Sequence, residues 1–326
     1  MARFLPDKFL TILIATIIFA SFMPVSGQGQ EWFSLATKCA VALLFFLHGA
    51  RLSSEAVVAG ITHWRLHLMV FLSTFVLFPI LGLMAGWLIP SLKQSIFYAG
   101  ILYLCVLPST VQSSIAFTSI AGGNVPAAIV SASASNILGM FVTPFLVGLL
   151  LQAHSGTGIS FDAFLSIILQ LLLPFVAGQI CRRFIGSFLN SHKTLTSIVD
   201  RGSIVMVVYL AFSEAVTQKL WSNTSWHDLM VMVGFDIILL FLVLMITWWG
   251  AKLFKFDEPD CITIMFCGSK KSLASGAPMA NAIFSSYSHI NIGAVVLPLM
   301  LFHQIQLMAC TIIARHLSQR KELIDD

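Results

Sequence analysis

The chain has 326 residues, of which 58% are hydrophobic and only 10% charged, with a formal net charge of +4 and a mean hydropathy of +0.91. A soluble domain carries about 25% charged residues, whereas here 27 Phe outnumber the 18 Lys plus Arg. A globular core cannot hide that much apolar surface, so the solvent is lipid. A soluble enzyme, a nucleic-acid binder and a disulfide-rich secreted domain are excluded. Cys39, Cys105, Cys181, Cys261, Cys267 and Cys310 lie in or beside apolar stretches without a close CxxC pair. They read as small hydrophobes, with neither disulfide nor metal expected.

A spanning helix needs about 20 mainly apolar residues. Ten candidates follow in chain order: 9–24, 35–52, 66–89, 96–120, 125–152, 161–181, 197–220, 228–254, 261–284 and 290–315. Turn-rich connectors such as Gly122-Gly123-Asn124, His154-Ser155-Gly156 and Asp257-Glu258-Pro259-Asp260 separate them. The short alternating segments of a β-barrel are lacking. The first candidate has a second reading, because Arg3 and Lys8 before a short apolar run, with Ser26-Gly27-Gln28 after it, resemble a signal peptide. A retained helix is expected, since the repeat described below needs it.

Charge placement fixes an orientation. Alternating the connectors puts Arg3, Lys8, Arg51, Arg65, Arg182, Arg183, Lys193, Arg201, Lys252, Lys255, Arg315, Arg320 and Lys321 on one side, against Lys38, Lys93 and Lys219 on the other. Cytoplasmic loops carry the excess of Lys and Arg, so both termini are expected in the cytoplasm. The expected location is the plasma membrane (the inner membrane in a bacterium). Trp32, Trp64, Trp87, Trp221, Trp226, Trp248 and Trp249 fall near span ends, as an interfacial belt requires.

Ten spans divide into two fives: a first repeat over 1–152, a second over 161–317, and a short cytoplasmic tail over 318–326. Because five is odd, the halves have opposite orientations. The fourth span of each half is interrupted: Pro108-Ser-Thr-Val-Gln-Ser-Ser114 in one, Gly268-Ser-Lys-Lys-Ser-Leu-Ala-Ser-Gly276 in the other. Backbone freed by a break in lipid costs several kcal/mol per group unless it is buried in protein or lines a wet cavity. Paired broken helices in inverted repeats point to a transporter site, where half-helix N-termini favour anions and free carbonyls favour cations. The plain alternative is a proline kink with Ser-rich packing.

Lys270 and Lys271 sit inside span nine. A central lysine costs about 2.5–3.5 kcal/mol on insertion scales and so faces a cavity or a partner. Such an ammonium binds an anion, carries a proton, or is a fixed structural cation capping carbonyls or pairing with a carboxylate. Glu214 in span seven and Asp236 in span eight are the candidate charge partners. His67, His303, Gln304 and Gln306 add polar groups at membrane depth. Ser131 and Ser135, at i and i+4, share a helix face, with small-residue packing as their first role and ion contact as the second. Gly82-x-x-x-Gly86 suggests close helix approach.

At three places the chain resembles the bile acid:sodium symporter family, in its sodium/bile acid cotransporter 7-like branch. These are Ala121-Gly-Gly-Asn124, Phe266-Cys-Gly-Ser-Lys-Lys-Ser-Leu273 with Gly276 and Pro278, and His303-Gln-Ile-Gln306. The branch shows a Lys-Ser-Leu here, which ranks Lys271 above Lys270. The resemblance implies an all-α integral membrane fold of ten helices, with spans three to five and eight to ten as a core and spans one, two, six and seven as a panel. Broken helices four and nine would cross in that core, with substrate held beside the crossing and moved by alternating access. In the bile-acid branch two sodium ions sit there, held partly by an acid and a Gln-Asn pair of span nine, and Gln112, Ser113 and Ser114 of span four still resemble its polar ligand cluster. This chain departs from that pattern, with Phe266 and Cys267 where the acid is expected and Lys270-Lys271 near the amide pair.

The expected function is therefore secondary transport of an organic anion, either bile-acid or steroid-like or a smaller carboxylate or sulfate. Sodium coupling is in doubt, and a proton is the other candidate coupling ion. The candidate substrate and ion site comprises Lys270, Lys271, Ser269, Ser272, Thr110, Gln112, Ser113, Ser114, Asn124, Ser131, Ser135, His303 and Gln306. Partners are the lipid bilayer and the small anion, with no cofactor and no nucleic acid. Two other classes compete. A Ser–Lys dyad from Lys271 with Ser269 or Ser272 would make an intramembrane enzyme. The family branch also suggests a regulator of ion (calcium) homeostasis without net transport. No GxxxxGK[ST] run supports an ATP-driven pump.

Overall fold

The computed structural model describes residues 8–51, 63–155, 161–217, 219, 225–284 and 290–325. Arg3, Gly156 and Trp221, used above for orientation, spans and interfacial placement, lie outside them. The described residues contain helices and no strand. In chain order these are α1 (Lys8–Phe22), α2 (Gln28–Arg51), α3 (Trp64–Leu88), α4 (Pro90–Gln94), α5 (Tyr98–Val106), α6 (Gln112–Ile120), α7 (Val125–Ser155), α8 (Phe161–Ser191), α9 (Lys193–Thr217), α10 (Trp226–Leu253), α11 (Glu258–Gly268), α12 (Leu273–Phe284) and α13 (Ile292–Asp325).

Seven of these helices (α2, α3, α7, α8, α9, α10 and α13) contain segments long and apolar enough to cross a membrane. The three remaining candidates are the 15-residue α1 and the two interrupted pairs, α5 with α6 and α11 with α12. Each interrupted helix is too short to span alone, as 1.5 Å per residue dictates. Several ends run past the expected limits: His154 and Ser155 continue α7, and α13 reaches Asp325. Polar residues end a hydrophobic run without ending a helix. Trp32, Trp64, Trp87, Trp226 and Trp249 are exposed, which suits side chains at the lipid–water boundary.

The chain forms two compact units. The first gathers residues 1–52, 165–224 and 277–296. In it α1 packs on α9, with the Phe19 ring stacked on Tyr209 at 5.7 Å and the Tyr209 hydroxyl donating to the Met23 carbonyl at 2.8 Å. Helices α2 and α8 approach closely through two glycines. A Cβ at Gly49 would collide with the Phe175 carbonyl, and one at Gly178 with the Phe46 carbonyl. Close approach of backbones through small residues is the membrane form of helix packing, because lipid supplies no hydrophobic drive between apolar faces.

The second unit gathers residues 53–164, 225–276 and 297–326. Leu66 and Val70 of α3, Ala127 and Ala128 of α7, Ala251 of α10, and Cys261, Ile264 and Cys267 of α11 form one buried cluster. Gly82 and Gly86 of α3 face α5: a Cβ on Gly82 would lie 2.8 Å from Cys105 Sγ, and one on Gly86 would meet the Tyr98 hydroxyl. Of the interrupted helices, α5 and α11 are largely enclosed, while α6 exposes Gln112, Ala116, Ser119 and Ile120. Every residue from Cys261 to Gly268 is buried, as are Gly100 to Val106. By contrast α10 shows Ile237, Ile238, Phe241 and Trp249 on its outer face. Broken backbone is thus kept inside protein, as lipid demands.

Candidate functional site

The two interruptions meet in the second unit and satisfy one another. Pro108 has no N–H and forces Leu107 into an extended conformation (φ −72, ψ 152), so the last carbonyls of α5 lose their helical donors. Each finds a substitute. The Cys105 and Leu107 carbonyls accept from Lys271 Nζ, both at 2.8 Å, and the Val106 carbonyl accepts from Thr143 Oγ1 at 2.7 Å. The Pro108 carbonyl accepts from the Ser272 N–H at 2.9 Å, and the Ser109 carbonyl from Asn136 Nδ2 at 2.6 Å. In return Ser109 Oγ donates to the Cys267 carbonyl at 2.6 Å and Ser114 Oγ to the Phe266 carbonyl at 3.3 Å, filling the end of α11. Tyr103 adds a 2.6 Å bond from its hydroxyl to the Gly276 carbonyl.

Both lysines are fully buried at this meeting point. Lys271 Nζ has three donors and three acceptors, the carbonyls of Cys105, Leu107 and Thr74, each at 2.8 Å, with the Phe78 ring 4.0 Å below. Gln306 clamps its backbone on both sides, accepting from the Lys271 N–H and donating to its carbonyl, each at 2.9 Å. The second N–H of that amide meets His303 Nδ1 at 2.8 Å. Lys270 is held differently. Its ammonium donates once, to the Ser113 carbonyl at 3.1 Å, and rests on Phe117 at 3.8 Å and Phe266 at 5.1 Å from the ring centroids. Aromatic faces hold a cation without neutralising it.

Among the described residues neither lysine has a carboxylate within ion-pair distance; the pairs present are His48–Asp200, Arg51–Asp200 and His227–Asp228. Of the two candidate partners, Glu214 accepts from Gln30 Nε2 at 3.2 Å in the first unit. Asp236 is wholly buried in α10, and neither of its oxygens has a hydrogen-bond partner among the described residues.

The remaining candidates divide between two places. Thr110 Oγ1 shares hydrogen bonds with Ser113 Oγ (2.6 Å) and Ser114 Oγ (3.2 Å) at the start of α6. Ser135 Oγ accepts from the Ser109 N–H at 3.0 Å, and Ser272 caps α12 by accepting from the Ser275 N–H at 3.2 Å. Ser269 Oγ is buried without a hydrogen-bond partner among the described residues, and Gln112 is exposed in the first turn of α6. Ser131 instead bonds His67 Nδ1 at 2.7 Å. Asn124 lies elsewhere, capping α7 through the Ala127 N–H and donating to Asp260 Oδ1 at 2.8 Å. It docks the N-terminus of α7 on the first turn of α11 and does not join the lysine cluster.

The model of the SBF-like CPA transporter family matches residues 7–319. The chain belongs to that family. Its members are transporters, so the Ser–Lys enzyme alternative falls, and the protein is a multi-pass membrane transporter. It is 52% identical over 320 residues to an uncharacterized Pseudomonas aeruginosa protein, PA2026, covering 98% of this chain and 95% of that one. It is 50% identical over 316 residues to the Escherichia coli protein named "Putative symporter YfeH", covering 97% and 94% of the two chains. Sodium/bile acid cotransporter 7 of Danio rerio is 29% identical over 317 residues, at 94% and 92% coverage. The resemblance to the bile acid:sodium symporters is thereby confirmed at the level of the family.

Several residues that join the two interruptions are absent from the sequence-derived site. Asn136 bridges the two breaks, donating to the Ser109 carbonyl and accepting from Ser275 Oγ at 2.5 Å. An asparagine inside an apolar span, next to Ser135, was the available signal. Thr74 contributes a carbonyl, and Phe117 and Phe266 contribute ring faces, none of which the side-chain type announces.

Proposed function

We infer that the protein is a secondary-active transporter that carries an organic anion by alternating access, and that Lys270 is the cation the anion meets. The observation that carries this reading is the Lys270 ammonium: fully buried, with one hydrogen bond and no carboxylate beside it among the described residues. Burying an unpaired charge is costly, and an anionic ligand offsets that cost inside a medium of low dielectric. Lys271 has no donor left to offer, so Lys270 is favoured over it. The hydroxyls of Thr110, Ser113 and Ser114 start α6 beside Lys270, where the positive end of a helix dipole also favours an anion.

Ten spans in two inverted repeats, 1–152 and 161–317, are supported by seven long helices, α1 and two interrupted pairs. A core of spans three to five and eight to ten, against a panel of one, two, six and seven, is supported by the two compact units, except that residues 277–296, the second half of span nine and the start of span ten, group with the panel segments. In the proposed cycle these sets move as bodies. Both termini are assigned to the cytoplasm from the Lys and Arg asymmetry, and bacterial relatives favour an inner membrane. Two fixed ammonium groups repel a further cation, so sodium coupling is weak or absent.

The substrate class is a bile-acid or steroid-like anion, or a smaller carboxylate or sulfate. Purified protein is screened by thermal unfolding with cholate, succinate and sulfate, each as its sodium and choline salt. One of these anions raises the wild-type Tm with either counter-ion, and transport of the same anion is seen in liposomes. Saturable sodium-dependent uptake, abolished by Ser113→Ala, would overturn the sodium-independent reading. Stabilisation without transport would favour a regulatory role.

A further inference from the structure

The three carbonyls around Lys271 have no helical donor left, for reasons independent of the lysine. Residues Ser73–Leu77 form one π-turn in α3, so the Phe78 N–H reaches back five residues to the Ser73 carbonyl. Pro79, next in line, has no N–H to offer Thr74. The Ser109 N–H, which would close a helical bond to Cys105, is spent on Ser135 Oγ. Leu107 is extended because it precedes Pro108. Two separate chain irregularities, one in α3 and one after α5, thus aim three oxygens at one point above the Phe78 ring. Carbonyl oxygens that replace a hydration shell, closed by an aromatic face, recognise a dehydrated monovalent cation.

We propose that this cage is a monovalent-cation site whose permanent occupant is the protein's own Lys271 ammonium. Its tether is the backbone that Gln306 grips from both sides. The ligand class is a primary ammonium, with three N–H donors for three oxygens. If the protein transports as proposed above, no free cation is bound or released at this place during the cycle. That consequence rests on the transport reading, while the cage itself does not.

The test removes the tether and offers the ligand back. Full-length Lys271→Ala is purified and its Tm followed against methylammonium chloride, with tetramethylammonium chloride at equal ionic strength as the control lacking N–H donors. The variant unfolds below wild type, methylammonium raises its Tm with concentration as a bound ligand does, tetramethylammonium does not, and wild type responds to neither. A variant as stable as wild type, or an equal response to both salts, overturns the proposal. If Lys271→Ala fails to accumulate, yield becomes the readout, with expression in each salt and Lys271→Met as the apolar, volume-matched control. Recovery of Lys271→Ala in methylammonium alone supports the cage. No recovery in either salt, or wild-type yield of Lys271→Met, overturns it. Failure of rescue while an anion still stabilises wild type would sink the cage and leave the transport reading standing. Rescue without any anion effect would do the reverse.

Discussion

Replacing Gln306 by leucine keeps the side-chain volume and removes the amide that completes the backbone of Lys271. The native amide accepts from the Lys271 N–H and donates to its carbonyl, each at 2.9 Å, in a side chain with no exposed surface. A buried polar group left unsatisfied costs about 1–3 kcal/mol. Two such groups make the change worth roughly 2–6 kcal/mol, a large part of the 5–15 kcal/mol that holds a typical protein folded. Gln306→Glu keeps an acceptor for the N–H but offers no donor to the carbonyl when ionised, and places a carboxylate in an apolar setting. It too is destabilised, by loss of one bond plus the burial of charge. Thermal unfolding of the purified variants in one detergent measures the effect. Gln306→Leu unfolding at the wild-type temperature would refute the reasoning, because Lys271 would then have other partners for both backbone groups.

Three further outcomes follow from the packing and the orphaned carboxyl. Gly178→Ala drives a methyl into the Phe46 carbonyl and lowers stability by about 1–3 kcal/mol, the usual cost of overpacking. Gly202→Ala in α9, where nothing lies within 4 Å of the new Cβ, is neutral or gains about 0.5–1 kcal/mol from helix propensity. Equal effects at the two sites, read by the same unfolding assay, would contradict the packing. Asp236→Val removes a buried carboxyl that has no hydrogen-bond partner and raises stability by about 1–3 kcal/mol; a fall in Tm would mean that the carboxyl is partnered in the working protein.

The sequence located both interruptions because their signals are local. Pro108 cannot continue a helix, and Gly268-Ser-Lys-Lys-Ser272 cannot sit in lipid unbroken. Burial of Lys270 and Lys271 follows from the same local pattern. Their partners are not legible, because those are backbone carbonyls brought together from positions 157 to 197 residues away in the chain. A carbonyl has no residue signature; Pro79 behind Ser73-Thr74 and Pro108 behind Leu107 signal that carbonyls are freed there, but not what they meet. Asn124 enters the candidate site with the Ala121-Gly-Gly-Asn124 run that carries the family resemblance. Its place after Gly122-Gly123 and before a helix is also an N-cap signature, and capping is what the structure displays. Gln306 is legible in the sequence as an embedded amide, but not that its hydrogen bonds go to the backbone of Lys271.

The central claim is that Lys270 presents an unneutralised positive charge to an anionic substrate. It is tested most directly by binding of the stabilising anion to wild type, Lys270→Gln and Lys270→Arg, measured as the shift in Tm with anion concentration. Lys270→Gln loses the shift and Lys270→Arg keeps part of it, with choline and sodium salts giving the same result. An undiminished shift in a folded Lys270→Gln would contradict the account and leave Lys270 as a structural cation seated on Phe117 and Phe266.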